Sequence, residues 1–552
     1  MMTAASEKYR PFPTIRLADR TWPDMTVTRP PQWCSVDLRD GNQALIDPMD
    51  TPKKLKMWHT LVGMGFKQIE VGFPAASQTD YDFIRHLIDG NHIPDDVTIQ
   101  ILTQSREDLI RKSFEALEGA KRVIVHLYNS TSEVQRRVVF GFDRQGCVDL
   151  ALTGTRLVRE LSAARAGGEV TFQYSPESFT GTEPEFAVEI VDAVAAAWGA
   201  AKGREMIVNL PATVEMSTPN LYADTVEWFC RKVKNRPNLI ISVHPHNDRG
   251  TGVAASELAV MAGADRVEGT LFGNGERTGN VDICTLALNL FTQGVDPGLD
   301  LSDIDAIRSV SEECTGLAVH PRHPYVGDLV YTAFSGSHQD AINKGFKARE
   351  KANSPVWEVP YLPIDPADVG RSYEAVIRIN SQSGKGGVAY VLERDHGLEL
   401  PKAMQSEFAR VVQVIADTKG RELTPAEIHA AFQSTYLDAG RIQVLDYSTV
   451  PVGKGARALT AQLSVDGQER IIQGVGAGPV DAFIHALEKD LGEKVTIRDY
   501  HEHAIGEGSD SQAASYVAIA TASGVVVHGA ALDSSVTMAA LKAVVGAINR
   551  RG

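Results

Sequence analysis

Eight short apolar runs, each followed by a longer amphipathic stretch, occupy residues 32 to about 290 and constrain the fold more tightly than any other feature. The runs are WCSVDL near 33–38, KQIEVGF at 67–73, TIQILT at 98–103, RVIVHLY at 122–128, VTFQYS at 170–175, MIVNLP at 206–211, LIISVHP at 239–245 and DRVEGTLF at 265–272. Between them, stretches such as TPKKLKMWHTLVGMG and EPEFAVEIVDAVAAAWGAA place apolar residues three and four apart, the period of a helix. Strand and helix in alternation mean parallel strands joined by crossovers. Eight such units in roughly 250 residues predict an α/β fold, a closed (β/α)8 TIM barrel, in preference to an open doubly wound sheet.

The chain has 552 residues, too many for one hydrophobic core. Residues 1–31 read as an N-terminal arm and 32–330 as the barrel. From 331 to 437 the pattern becomes mixed polar turns (FSGSHQD, NSQSGKGG) ending in a helix that starts at Thr424 and Pro425. From 438 to 552 strands and then a helix occur twice: ALTAQLSV and ERIIQGVG before PVDAFIHALEKDL, then VTIRDYHEHAIG and SYVAIATASGVVVHGAAL before SVTMAALKAVVGAINR. That strand-strand-helix repeat predicts a small α+β domain prone to self-association. SGKGG at 383–387 lacks the phosphate-loop pattern and reads as a connector.

In a (β/α)8 barrel the chemistry sits at the C-terminal ends of the strands. Those ends here are loaded with polar residues: Asp37, Arg39 and Asp40, then Glu70, His126, Ser175 with Glu177, Asn209 with Thr213, and the pair His244 and His246. Residues two apart on an extended strand share a face, so His244 and His246 project together, a pattern suited to metal ligation. By the same period Asp37 and Arg39 should share a face, with Asp40 free in the turn that follows to supply an oxygen ligand. A surface turn carrying a rim ion pair is the competing account of Asp40. GNGERTGN, Gly273 to Asn280, lacks the dinucleotide spacing; it either cradles an anion with backbone N–H groups or simply closes the barrel.

Composition narrows the partners. The net charge of −15 argues against nucleic-acid binding, which needs clustered Lys and Arg. The five cysteines are scattered without a C-x-x-C, so neither a disulfide framework nor a cysteine zinc site is expected. With no apolar run of membrane-spanning length and no signal-like apolar segment at the start, no membrane partner and a cytoplasmic location are expected.

The motifs SVDLRDGNQALIDPM, IEVGFPAAS, SVHPHNDRGTG and LFGNGERTGN resemble those of the 2-isopropylmalate synthases, in the metal-dependent barrel superfamily of acyl-CoA condensing enzymes and lyases. The superfamily pattern of an Arg-Asp pair on strand one, a Glu on strand two and H-x-H on strand seven falls on Arg39, Asp40, Glu70, His244 and His246. The resemblance continues through FSGSHQDAINKG and PYLPIDPADVGR into the C-terminal repeat.

The resemblance implies a Claisen condensation of acetyl-CoA with 3-methyl-2-oxobutanoate and hydrolysis to 2-isopropylmalate and CoA, the committed step of leucine synthesis. It implies a divalent cation (Mg, Mn or Zn) on Asp40, His244 and His246 with Asn280 near, a monovalent activator such as K, and acetyl-CoA as co-substrate. Arg39 would stabilise the developing alkoxide with Glu70 in the same catalytic group. Thr213 would bind the substrate carboxylate, and His126, Ser175 and Asn209 would wall its side chain. His338, assisted by Glu177 with Tyr361 nearby, is the implied general base, acting in a homodimer. Leucine would inhibit through the C-terminal domain, where the GVGAGP turn offers N–H donors at Gly474, Gly476 and Gly478. The rival readings are a homocitrate or citramalate synthase, a metal-dependent lyase of the same fold, and a silent amino-acid-binding protein.

Overall fold

Eight parallel strands close on themselves in chain order: β1 Gln32–Ser35, β2 Gln68–Gly72, β3 Thr98–Gln104, β4 Arg122–Ser130, β5 Glu169–Glu177, β6 Met206–Ala212, β7 Leu239–Pro245 and β8 Arg266–Gly269. Ring closure is the parallel pairing of β8 with β1, which sets Trp33 beside Val267 and Ser35 beside Gly269. This is a computed structural model of the chain, and it describes residues 5–333, 335–373, 385–419, 423–438, 440–453, 455–506, 511–520 and 524–551. The expected barrel is the observed one, with strands near the expected positions.

The helices form where the apolar spacing put them. Pro184–Trp198 opens with proline in its first turn, where a missing N–H costs nothing, and ends at Gly199 in the left-handed region (φ 81°). Its buried face is Phe186, Ala187, Ile190, Val191, Val194, Ala195 and Trp198, and Trp198 stacks on Phe172 of β5 at 4.7 Å. Each large side chain of that face contributes about 1.5–3 kcal/mol by leaving water. The N-terminal arm is pinned to the helix Pro219–Lys232: Trp22 Nε1 and Arg20 donate to Asp224, and Thr21 donates to Glu227.

Two compact units divide the chain, Met1–Val330 with Ile364–Ser372, and Tyr331–Pro363 with Tyr373–Gly552. In the second unit the helices Lys385–His396, Lys402–Lys419 and Pro425–Phe432 share a core built on Leu392, Met404, Phe408, Val412 and Phe432. The third of these starts at Thr424 and Pro425 as predicted, and Thr424 and Glu427 form a reciprocal capping box there. Of the expected connector at 383–387, Ser383 and Gly384 lie outside the described residues, while Lys385 onward is helical rather than loop.

The C-terminal repeat differs from expectation by one strand per copy. The first copy is β9 Ile442–Pro451, β10 Arg457–Val465 and β11 Gln468–Gly476 before the helix Pro479–Leu491; the second is β12 Thr496–Ile505, β13 Gln512–Ala520 and β14 Val526–Asp533 before Val536–Asn549. IQVLDYSTVP was not separated as a strand because its polar residues mask the alternation, and SYVAIATASGVVVHGAAL reads as one apolar run although it supplies both β13 and β14. No helix among the described residues is long and apolar enough to cross a membrane.

Candidate active site

After β1 the chain does not continue extended. Asp37–Gly41 forms one wide π-helical turn, so Asp37 and Arg39 do not share a strand face. Asp37 instead points down, accepting from Ser35 Oγ (2.7 Å) and from the Leu271 N–H (3.0 Å) that follows β8. Burial pushes its carboxyl up to about 6, against the pull of those hydrogen bonds. The anchor comes from a residue 234 positions away, which a local two-residue period cannot foresee.

The turn aims Arg39 and Asp40 across the barrel mouth. Asp40 Oδ1 accepts from Arg39 Nη1 (2.6 Å) and Gln43 Nε2 (3.0 Å). Its Oδ2 faces His244 Nε2 at 3.3 Å and His246 Nε2 at 3.6 Å. Asn280 Oδ1 stands 2.7 Å from His244 Nε2, fixed because Asn280 Nδ2 donates to the Asn274 carbonyl. The two imidazoles lie on one face of the β7 end, rings 5.4 Å apart, as the H-x-H spacing predicted.

One ligand atom each from Asp40, His244 and His246 lies within 4.8 Å of the others, the only such group of His, Cys, Asp and Glu among the described residues. Ligand atoms sharing one ion at 2.0–2.2 Å stand roughly 3–3.6 Å apart, the spacing of Asp40 Oδ2 from each imidazole here. The donors suit a cation chemically too: two oxygens converge on the His244 Nε2 nitrogen, and His246 Nε2 faces the same Asp40 oxygen. Burial opposes the charge on His244, but Asp40 and Glu268 outweigh it and raise its pKa to about 10. Burial and the charge of His244 lower that of His246 to about 4, leaving that ring neutral. Burial works against the Asp40 carboxylate, yet Arg39 and the two histidines hold it far below the usual range.

The other named residues fall on the same rim. Glu70 takes the Arg39 Nε on one oxygen and His126 Nδ1 (2.9 Å) and Gln100 Nε2 (2.6 Å) on the other. His126 Nε2 is 2.6 Å from Ser175 Oγ, which accepts from Asn209 Nδ2 at 3.1 Å. Asn209 reaches Glu268 (3.4 Å), and Glu268 takes His244 Nδ1 at 2.9 Å. Arg39, Glu70, His126, Ser175, Asn209, Glu268, His244 and Asp40 thus form a closed ring of polar contacts around the mouth. Above them is a cavity of about 310 Å³, lined also by Phe73, Leu102, Tyr128, Glu177, Pro211 and Thr213. Thr213 Oγ1 accepts from the Ser178 N–H, and Glu177 accepts from Ser130 Oγ.

Glu268, with Arg266, Gln100 and Gln173 below it, was not singled out from the sequence. The signal was there: Arg266 and Glu268 sit two apart in a strand whose faces should both be apolar. His338 and Tyr361 belong to the second unit, where their rings stack at 4.1 Å.

Both glycine-rich stretches serve packing. A Cβ on Gly279 (φ 88°) would stand 1.7 Å from the Gly273 carbonyl, and one on Gly275 would strike Asn280 Nδ2 at 2.2 Å. GNGERTGN follows β8 as a turn whose glycines let it close over Asn280. The GVGAGP reading is corrected: Gly474 and Gly476 lie within β11, paired with Leu459 and Arg457. The N–H groups of Gln473 and Ala477 point away to Asp490 and Asp481, so those of Gly474 and Gly476 point into the ladder and are spent. Their missing side chains let the helix Pro479–Leu491 approach, since a Cβ on Gly474 would meet the Ala482 carbonyl at 2.2 Å. Gly529 does the same in the second copy, against the Ala543 carbonyl. Only Gly478 caps a helix.

Three family models match: "HMGL-like" over residues 30–310, "Alpha-isopropylmalate synthase, post-catalytic domain-like" over 328–393 and "LeuA allosteric (dimerisation) domain" over 422–551. Proteins named 2-isopropylmalate synthase are similar along the whole chain. That of Rhodospirillum rubrum is 59% identical, that of Brucella suis 57% and that of Rhizobium meliloti 56%, each alignment covering 100% of this chain and 99% of the relative.

Proposed function

The chain belongs to the 2-isopropylmalate synthase family, and from that premise we propose how its barrel mouth performs the family's reaction. The activity is the condensation of acetyl-CoA with 3-methyl-2-oxobutanoate and water to 2-isopropylmalate and CoA, the committed step of leucine synthesis, subject to feedback by leucine. Homocitrate, citramalate and lyase activities are not favoured, because the relatives that match end to end carry the 2-isopropylmalate synthase name. The observation that carries the site assignment is the convergence of Asp40, His244 and His246.

A divalent cation held by those three residues, with Asn280 beside them, supplies Lewis-acid polarisation and a template for the 2-oxo acid. Mg, Mn and Zn all suit this mixed nitrogen and oxygen donor set. Arg39, braced by Glu70 and Asp40, presents its guanidinium to the oxygen that becomes negative as the new C–C bond forms. Thr213 Oγ1 already accepts a backbone N–H, which leaves its own proton to donate to the substrate carboxylate. His126, Ser175 and Asn209 wall the branched side chain, with Leu102 and Pro211 giving apolar contact.

His338, aided by Glu177 and with Tyr361 stacked on it, takes the methyl proton of acetyl-CoA. The resulting carbanion attacks the ketone carbon, and water then cleaves the thioester, releasing CoA. We assign 32–330 to catalysis, 331–437 to the linker that carries His338, and 438–552 to leucine sensing in a homodimer, following the dimerisation family that 422–551 matches. A monovalent cation activator such as K and a cytoplasmic location complete the reading.

The test is release of free CoA from acetyl-CoA against a panel of 2-oxo acids, with and without a chelator. Release with 3-methyl-2-oxobutanoate, abolished by the chelator, is expected. Absence of release with every acid in metal-replete buffer defeats the proposal.

A further inference from the structure

Barrel interiors are ordinarily packed by branched apolar side chains. Here β8 turns two charges inward instead: Arg266 and Glu268 are both 0% exposed. Glu268 is the meeting point of that layer. Its Oε1 accepts from Gln173 Nε2 (2.6 Å), Ser242 Oγ (3.4 Å) and Arg266. Its Oε2 accepts from His244 Nδ1 (2.9 Å) and Asn209 Nδ2 (3.4 Å). Arg266 balances the charge and spends its remaining N–H groups on Gln68, Gln100 and Ser242. Burying a carboxylate is costly, and an ion pair that only filled space would gain nothing from reaching His244 and Asn209.

We propose that Glu268 is a positioning residue for the metal centre: it locks the His244 ring through Nδ1 and ties that ligand to Asn209 on the substrate wall. This rests on the reading of Asp40, His244 and His246 as the cation site. A carboxylate on Nδ1 keeps that nitrogen protonated, so a cation that displaces the Nε2 proton would meet a lone pair already aimed between Asp40 and Asn280. It also makes that nitrogen more basic and removes the freedom of the ring to rotate, both of which strengthen a cation's hold. Because the same oxygen receives Asn209, a shift of His244 is felt at Ser175 and His126, where the 2-oxo acid is read.

The experiment is titration of the metal-free full-length protein with Mn2+ alone, free ion being read by its EPR signal. Wild type should bind one ion per chain, and Glu268→Gln should bind it about 10–100-fold more weakly. In steady-state kinetics the variant should show a lower kcat and a higher KM for the 2-oxo acid, with KM for acetyl-CoA unchanged. Glu268→Gln strands the Arg266 cation, so the double variant Arg266→Met/Glu268→Gln is measured beside it. It should recover thermal stability while keeping the weakened Mn2+ affinity, the separation that a purely structural role would not produce. Wild-type Mn2+ affinity in either variant overturns the role of Glu268 and leaves the metal site standing. Failure of wild type itself to bind Mn2+ overturns the metal-centre reading and this proposal with it.

Discussion

Two carboxylate clusters in this chain use the same chemistry and end differently. In the second unit Glu407 gives one oxygen to His528 (2.7 Å) and the other to Arg550 (2.7 Å) and Tyr436 Oη (3.1 Å), with the guanidinium of Arg550 over the Tyr436 ring. Both carboxylate oxygens there are taken by donors of the protein. At the barrel mouth Asp40 gives one oxygen to Arg39 and Gln43 and turns the other toward two imidazoles, with Asn280 Oδ1 set on the same His244 nitrogen. A carboxylate flanked by His and Arg is therefore no sign of function by itself. What marks a site is several ligand atoms brought by the fold to one point, held in place by neighbours with partners of their own.

The largest expected break in the comparison is Asp40→Asn. Catalytic turnover should fall on the order of 10³-fold, corresponding to the several kcal/mol that a correctly held cation supplies, with Mn2+ binding lost alongside it. Assay of kcat and of Mn2+ binding checks it. The counterpart, Glu407→Gln, should cost stability and leave the metal site intact. Removing the shared acceptor of His528 and Arg550 costs about 2–4 kcal/mol in denaturant unfolding while Mn2+ affinity stays at the wild-type value.

The pH dependence of stability sharpens the same contrast. Burial works against the Glu407 carboxylate, but His528 and Arg550 prevail and lower its pKa from 4.5 to about 2. A depressed folded-state pKa contributes stability that is complete above about 4.5 and is lost as pH falls toward 2, at most about 3 kcal/mol. The difference in unfolding free energy between wild type and Glu407→Gln should therefore shrink over that interval and stay flat above it. The smallest pair concerns the glycines. Gly474→Ala should cost about 1–3 kcal/mol through its clash with the Ala482 carbonyl. Gly478→Ala, at an extended helix cap with open space around it, should cost under about 1 kcal/mol. If Gly478→Ala proves the costlier of the two, the packing account of β11 is wrong.

The sequence made the barrel legible because each strand and helix repeats its own period within a dozen residues. The ligand pair was legible for the same reason, since His244 and His246 need only an extended strand to face one way. The wide turn at Asp37–Gly41 was not, because it is held by the Leu271 N–H from the far end of the barrel. Glu268 escaped notice because Val267 and Leu271 around it make DRVEGTLF look apolar, and only closure of the barrel shows which face Arg266 and Glu268 share. GVGAGP misled for a chemical reason: glycines that expose N–H groups and glycines that admit a helix have the same letters. Which applies depends on the partner strand, and that information lies outside the motif.

The central claim is that one cation sits between Oδ2 of Asp40 and the imidazoles of His244 and His246. Crystals grown with Mn2+ and measured near the manganese absorption edge test it directly. The account predicts an anomalous difference peak about 2.0–2.3 Å from Asp40 Oδ2, His244 Nε2 and His246 Nε2 together. A peak elsewhere on the protein, with no density among those three atoms, would contradict it.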